Sequence, residues 1–430
     1  MAALVLLLVF LATAASGIPL FVSLLLSASA GVLAVGDLTL LKFVVQQFFG
    51  GMDLFSLMAI PFFTLAGSLM NASGLTDGLI DLSRLLVGRF RGGLGYVNVV
   101  ASILFAGVNG SAAADASALG SILIPAMERD GFDRVYAAGI TAGSSLVGPI
   151  IPPSVFMIIY AAMTNTSVGA LFLGGVIPGL ILGLAFMAMN FLYSRRYHVP
   201  PDSASGRVGG RQVLLRALPA LVAPGIIMGG IVSGVVTPTE SGVLAVLYIL
   251  AVGLLLTRRL TLVGVWSSLL ETVRLTSAVF MVMGAASAVS WVLKWERVPQ
   301  RFGLLLMESG ISSSPVLLLL TLSLITFLVG MFMEEVSALS VLTPIFFPLA
   351  RASGVDPLHF GIVMTLNITI ALITPPMGAC VYIAAAVGKV ELDALFRSIW
   401  PFVGVALLVL LLIIFFPPLV TFLPRALGVA

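Results

Sequence analysis

Gly148-Pro149-Ile150-Ile151-Pro152-Pro153 interrupts an otherwise apolar run, and Ile373-Thr374-Pro375-Pro376-Met377-Gly378 does the same further along the chain. The two Pro-Pro pairs lie 223 positions apart (375 minus 152). At that offset Gly107 also meets Gly330, Pro125 meets Pro348, Gly131 meets Gly354, Asp133 meets Asp356 and Pro178 meets Pro401. Matching Leu or Ala would mean little in so apolar a chain. Gly and Pro set turns and breaks, so the two halves read as one architecture used twice. A helix interrupted inside a bilayer frees carbonyls and amides that lipid cannot satisfy, and such breaks persist where they line protein, water or an ion. A membrane protein built as two repeats points to a transporter.

The membrane assignment follows from composition. The 430 residues are 60% hydrophobic and 9% charged, whereas charged residues make up about a quarter of a soluble globular chain. Stretches 170–193 and 402–422 carry no charge and are long enough to cross about 30 Å of hydrocarbon as helices. Residues 1–36 contain no Lys or Arg, so the basic start of an export signal is missing and the segment reads as two helices punctuated at Gly17 and Pro19. The single cysteine, Cys380, permits no internal disulfide. No Gly-x-x-x-x-Gly-Lys-Ser/Thr phosphate loop and no His-Glu-x-x-His pattern occurs, and His198 and His359 are the only histidines. An ATP-driven pump and a zinc enzyme therefore find no support, and the expectation is that the chain is not an enzyme.

The densest basic block is Arg195, Arg196, Arg207, Arg211 and Arg216, which reads as a cytoplasmic linker at 195–216 and not as a nucleic-acid surface. Counting outward from it gives repeats at 1–194 and 217–430. In the first, crossings are expected at 4–16, 19–35 and 54–71, with an interfacial helix at 75–91. A re-entrant hairpin follows at 94–127, then a broken helix at 133–163 and a crossing at 168–193. The second repeat gives crossings at 218–236, 239–256 and 277–293, a hairpin within 315–350, a broken helix at 357–386 and a crossing at 402–422. Segments 38–50 and 260–274 correspond as interfacial arms. Five crossings per half is odd, so the repeats must be inverted, with both termini outside. Of the 21 Lys and Arg, only Lys42, Lys294, Arg297, Arg301, Arg351 and Arg425 then fall outside, leaving 15 inside, as the positive-inside rule requires. The expected fold is an all-α polytopic membrane protein of two inverted-topology repeats.

The chemistry is expected where each half breaks its helices. In the first half Asn109, Gly110 and Ser111 form the hairpin tip, Asp115 stands one turn on, and Ser144 and Ser145 approach the break at Gly148 and Pro149. These are hard oxygen donors of the kind sodium favours. Small serines also serve close helix packing, whereas an intramembrane carboxylate costs at least about 2.5 kcal/mol and usually has a functional reason. In the second half Met333, Glu334, Glu335 and Ser337 occupy the matching tip, with Asn367, Thr369, Thr374 and Pro375 near the matching break. One glutamate is expected to reach a cation while the other caps the following helix at its positive end. Helix N-termini at both tips would turn amides toward an anionic solute, which places substrate against Asn109, Ser111, Pro153, Ser154 and Pro376.

The chain resembles, over essentially its whole length, the large membrane subunit of the tripartite ATP-independent periplasmic (TRAP) transporters of the dicarboxylate and sialic-acid type. The resemblance is carried by Ala59-Ile60-Pro61-Phe62-Phe63 with Leu65-Ala66-Gly67, and by Phe105-Ala106-Gly107 with Gly110-Ser111-Ala112. It continues through Ala118 to Met127, Gly148 to Ser154, Thr237-Pro238-Thr239-Glu240, Gly330-Met331-Phe332-Met333 and Thr374-Pro375-Pro376. It implies a sodium-driven importer of an organic acid in the bacterial inner membrane, working with a small four-helix membrane subunit and a periplasmic substrate-binding protein. It also implies an elevator, with hairpins and broken helices moving against a scaffold of the first two helices of each half and the arms. On that likeness Ser111 and Asp115 carry over to one sodium site and Glu334 to the other. Two departures stand out: Asn109 occupies a position where Ser is frequent, and Glu334-Glu335 replaces an Asp followed by a small residue. A stand-alone sodium/carboxylate symporter, with similar hairpins and no binding protein, is the alternative.

Overall fold

The computed structural model describes residues 2–202, 209–311 and 314–429, and at Asn109 the backbone only. Arg207 of the Arg-rich segment lies outside the described residues. All regular elements among the described residues are helical. The first ten α-helices are α1 (Ala2–Ala15), α2 (Leu20–Val35), α3 (Leu41–Met52), α4 (Ala59–Ala72), α5 (Leu75–Val87), α6 (Gly93–Asn109), α7 (Ala112–Arg129), α8 (Arg134–Ser145), α9 (Val155–Thr164) and α10 (Val168–Tyr197). After the Arg-rich segment come α11 (Gly210–Val232), α12 (Pro238–Ala251), α13 (Leu262–Trp295), α14 (Val298–Glu308), α15 (Pro315–Gly330) and α16 (Glu335–Ala352). The chain ends with α17 (Pro357–Ala371), α18 (Ala379–Gly388), α19 (Leu392–Ser398), α20 (Trp400–Phe415) and α21 (Pro418–Ala426).

Local chemistry explains where these helices start. Ser111, Asp133, Ser154 and Ser167 each precede a helix in extended conformation and accept a hydrogen bond from the first turn of α7, α8, α9 and α10. Thr237 and Glu240 cap α12 reciprocally, with the Thr237 hydroxyl accepting from the Glu240 amide and the Glu240 carboxylate accepting from the Thr237 amide. Helix boundaries in the two halves keep the register seen in the sequence. The two hairpin arms α7 and α16 start 223 positions apart (335 minus 112) and end 223 apart (352 minus 129).

By length and apolar composition, seven helical segments among the described residues suit a membrane crossing, including Val168–Tyr197, Gly210–Val232 and Leu262–Trp295. The expected crossings at 4–16 and 19–35 are helices of 14 and 16 residues, about 21 to 24 Å long at 1.5 Å per residue. Four other expectations change. The arm at 260–274 and the crossing at 277–293 form the single helix α13 of 34 residues, because no Gly or Pro between Val265 and Met283 interrupts it. The crossing at 402–422 stops after Phe415 and resumes as α21, since Pro417 and Pro418 supply no amide for the helix ladder. Helices α14 and α19 are additional elements. Both ends of the Arg-rich segment are helical, with α10 running to Tyr197 and α11 opening at Gly210.

Two sets of contacts organise the molecule. Long helix α13 packs against α2, α3 and α4, while α12 packs against α4 and α11. Close approach of α3 to α13 needs Gly51, where a Cβ would collide with Ser287 Cβ. In the other set each hairpin folds on itself, α6 on α7 and α15 on α16, and its second arm crosses to the opposite half: α7 packs on α18 and α16 on α9. The two sets meet where α13 lies on α16 and α4 on α6.

Candidate functional site

The first hairpin turns at Gly110, whose φ of +60° is the left-handed conformation that glycine adopts without cost. A Cβ there would strike the Pro153 carbonyl oxygen, so the tip rests directly on the first helix break. Gly148 completes the contact from the other side, facing the backbone of Ser111 and Ala112. Ser111 Oγ accepts from the Ala114 amide at 3.4 Å and Ser154 Oγ from the Met157 amide at 3.3 Å. The structure therefore brings together Gly110, Ser111, Gly148, Pro153 and Ser154, with Pro149 buried beside them.

Asp115, in the first turn of α7, is 1% exposed. Neither of its carboxylate oxygens is held in a well-formed hydrogen bond, the Ser102 hydroxyl being the polar group next to it. Beside it runs a chain of buried polar groups, of which the sequence points to Ser144 alone. Asn98 Nδ2 donates to Thr141 Oγ1 at 2.6 Å, and Ser144 Oγ donates to Asn98 Oδ1 at 3.2 Å. Ser102 Oγ donates to Ser144 Oγ at 3.1 Å. Asn98 and Ser102 are four apart on α6 and so share a helix face, which is the one signal the sequence offered for them. Ser145 stands apart from this chain, donating to its own helix at Ala142 O (2.8 Å).

The second tip is built differently. Glu334 Oε2 accepts from the Ser337 amide at 2.9 Å and from Ser337 Oγ at 3.0 Å, so this carboxylate caps α16 at the position where Ser111 caps α7 (334 minus 223). Glu335, half-buried, has no such role, and it lines a cleft of about 100 Å³ between the tip residues Gly330 and Met333 and the break residues Leu372, Met377 and Gly378. Asn367 donates from Nδ2 to Ser323 O at 2.8 Å, leaving its buried Oδ1 without a partner. Thr369 and Thr374 donate back to Thr365 O (2.6 Å) and Ile370 O (2.9 Å), which leaves their oxygens free to accept. Pro375 is half-exposed and Pro376 exposed. Neither lines the cavity between the tips, and nor do Pro153 and Ser154; on the first-half side it reaches Val155 and Phe156, just past the break.

That cavity, of about 620 Å³, joins the two tips. Gly110 and Ser111 enter it from the first hairpin and Glu334 and Glu335 from the second, with Val155 and Phe156 from the start of α9. Thr64, Ser68 and Asn71 of α4 and Glu271 and Ser277 of α13 form the facing wall. Among the described residues no group of three His, Cys, Asp or Glu is placed to bind a metal ion. The donors on offer are single carboxylates, hydroxyls and amide oxygens, a set that fits a weakly held alkali cation better than a transition metal. The unpartnered oxygens of Asp115 and Asn367 are the positions such an ion would satisfy.

A model of the DctM component of the tripartite ATP-independent periplasmic transporters matches residues 4–419. The chain belongs to this family. A sialic acid TRAP transporter large permease protein of Vibrio cholerae is 39% identical over 95% of this chain and 95% of that protein. A C4-dicarboxylate TRAP transporter large permease protein of Pseudomonas aeruginosa is 38% identical over 92% of this chain and 94% of that protein. The YdaH transporter of Alcanivorax borkumensis shares the fold, with a TM-score of 0.58 and 16% identity over 88% of each chain. This TRAP large permease is thus a multi-pass membrane transport protein whose relatives are permeases and not enzymes.

Proposed function

We propose that this TRAP large permease imports a carboxylate-bearing organic acid into the bacterial cytoplasm, driven by sodium. The observation that carries the proposal is the meeting of both hairpin tips at one cavity, with a buried oxygen left unbonded behind each, on Asp115 and on Asn367. Relatives named for sialic acid and for C4-dicarboxylates support the substrate class. In this reading the first ion site draws on Asn109, Gly110, Ser111, Asp115, Ser144, Ser145, Gly148 and Pro149. The second draws on Met333, Glu335, Ser337, Asn367, Thr369, Thr374 and Pro375, with Glu335 as its carboxylate, while Glu334 shapes the tip by capping α16 and does not bind the ion. The substrate carboxylate sits at the amide-rich start of α7 beside Ser111. Sodium, when bound, supplies positive charge that these acidic tips lack; the side chains hold and orient it.

Transport follows as rigid displacement of α6–α9 and α15–α18 against a scaffold containing α1, α2, α3, α11, α12 and the first half of α13. The exchange of arms between the halves, α7 on α18 and α16 on α9, favours motion of that set as one body. The two repeats are inverted, the termini face the periplasm, and a small membrane subunit and a periplasmic binding protein complete the system, in keeping with the family's tripartite description. Reconstitution tests this. Uptake of a candidate acid into proteoliposomes should require an inward sodium gradient, the small subunit and the binding protein. Sodium-independent uptake, or full uptake by this chain alone, would contradict the proposal.

A further inference from the structure

The cavity between the tips carries charge of one sign. Its ionisable lining residues are Glu271, Glu334 and Glu335, with no Lys, Arg or His among them. Glu334 is held by the start of α16, and Glu335 also faces the small cleft at the second break. Glu271 stands alone on the facing wall, where Ser68 Oγ of α4 donates to its Oε2 at 2.8 Å. Arg274, one turn along α13, does not line this cavity, although it shares an adjoining pocket of about 380 Å³ with the outer side of Glu271. No ion pair joins it to Glu271, so Arg274 does not occupy the carboxylate that faces the cavity.

A solute bearing only carboxylates would find amides for its acid group at the start of α7, then meet uncompensated negative charge across the cavity. A cationic nitrogen on the same molecule removes that conflict, because an opposite charge is favoured where a like charge is repelled. We propose that the transported acid carries a cationic nitrogen as well as its carboxylate, and that Glu271 is the residue that selects for it. The inference rests on the cavity being the substrate site, and it specifies that site's ligand as a zwitterionic organic acid. The acid group lies against Ser111 and Ala112, and the ammonium or quaternary nitrogen lies against Glu271. Ser68 is a positioning residue, fixing the carboxylate by its hydrogen bond.

Binding to the purified full chain in lipid nanodiscs, with sodium present, tests this using acids paired to differ in the nitrogen. Glycine betaine is set against 3,3-dimethylbutyrate, 4-aminobutyrate against butyrate, and glutamate against glutarate. The nitrogen-bearing member of at least one pair should bind about tenfold more tightly or better, a difference of about 1.4 kcal/mol. Glu271→Gln, which keeps the shape and the Ser68 bond, should reduce that preference to less than about threefold, and Glu271→Asp should retain most of it. Sodium-dependent binding of the plain acids with no preference for nitrogen would overturn the role of Glu271 and leave carboxylate import standing. Binding of neither kind would overturn both.

Discussion

Asp115 sits in the first turn of α7 with neither carboxylate oxygen bonded, and in a bilayer interior such a group needs a compensating charge. Asp115→Asn should raise the sodium concentration for half-maximal uptake by about tenfold or more, since each 1.4 kcal/mol of lost ion affinity is a factor of ten. A mutant whose uptake rises with sodium as steeply as wild type would move the first ion elsewhere. The adjacent glutamates separate by a different measurement. Glu334→Gln should lower thermal stability, about 1 kcal/mol for a weakened helix cap, and leave sodium dependence near wild type; Glu335→Gln should do the reverse. Gly110→Ala should cost about 1–2 kcal/mol from its left-handed backbone alone, and more from the collision with Pro153, read as a fall in melting temperature. Asp115 and the glutamates were legible in the sequence because a charge in an apolar helix is conspicuous. Asn98, Ser102 and Thr141 were not, because their meaning comes from α6 and α8 facing one another, a tertiary fact that composition does not carry.

Half-helices that end inside the protein must be tied down at their far ends. Tyr160 Oη, near the end of α9, donates to Pro357 O at the start of α17 (2.7 Å). Arg134 Nε, at the start of α8, donates to Gly388 O at the end of α18 (2.7 Å). Each bond joins one half of the chain to the other, so the two broken helices brace each other. Tyr160→Phe should destabilise the protein by about 1 kcal/mol, seen as a lower melting temperature in detergent, with sodium affinity unchanged because the proposed ion sites lie at the opposite ends of these helices. Breaks and tips were readable because Gly and Pro act locally. The continuity of α13 was obscured by Glu271 and Arg274, charges within a long helix that read as an interfacial arm in isolation. The interruption at Pro417 and Pro418 is local, and the apolar run on both sides of it has the length of one crossing.

Across the whole molecule, equal spacing of boundaries in the two halves accounts for most of what sequence foresaw, since a repeated Gly and Pro skeleton fixes a repeated helix order. The sequence shows as well that the halves differ where the ions are proposed to sit, and the structure adds that Glu334 is the glutamate that caps. The position of Ser111 is taken by Glu334, and that of Asp115 by Ala338. A duplicated frame has thus been furnished with unlike donors, so the proposed ions should differ in affinity, and sodium activation of uptake should show two resolvable phases in a titration from low to high sodium. The orientation of the halves is the premise beneath transport, coupling and the shared cavity alike. It is tested most directly by single cysteines placed at the bases of the hairpins, Asp130→Cys and Ser353→Cys, in a background where the buried Cys380 is replaced by Ala. In intact cells a membrane-impermeant maleimide should label Cys at 353 and leave Cys at 130 untouched until the membrane is opened. Labelling of both positions from the same side would contradict it.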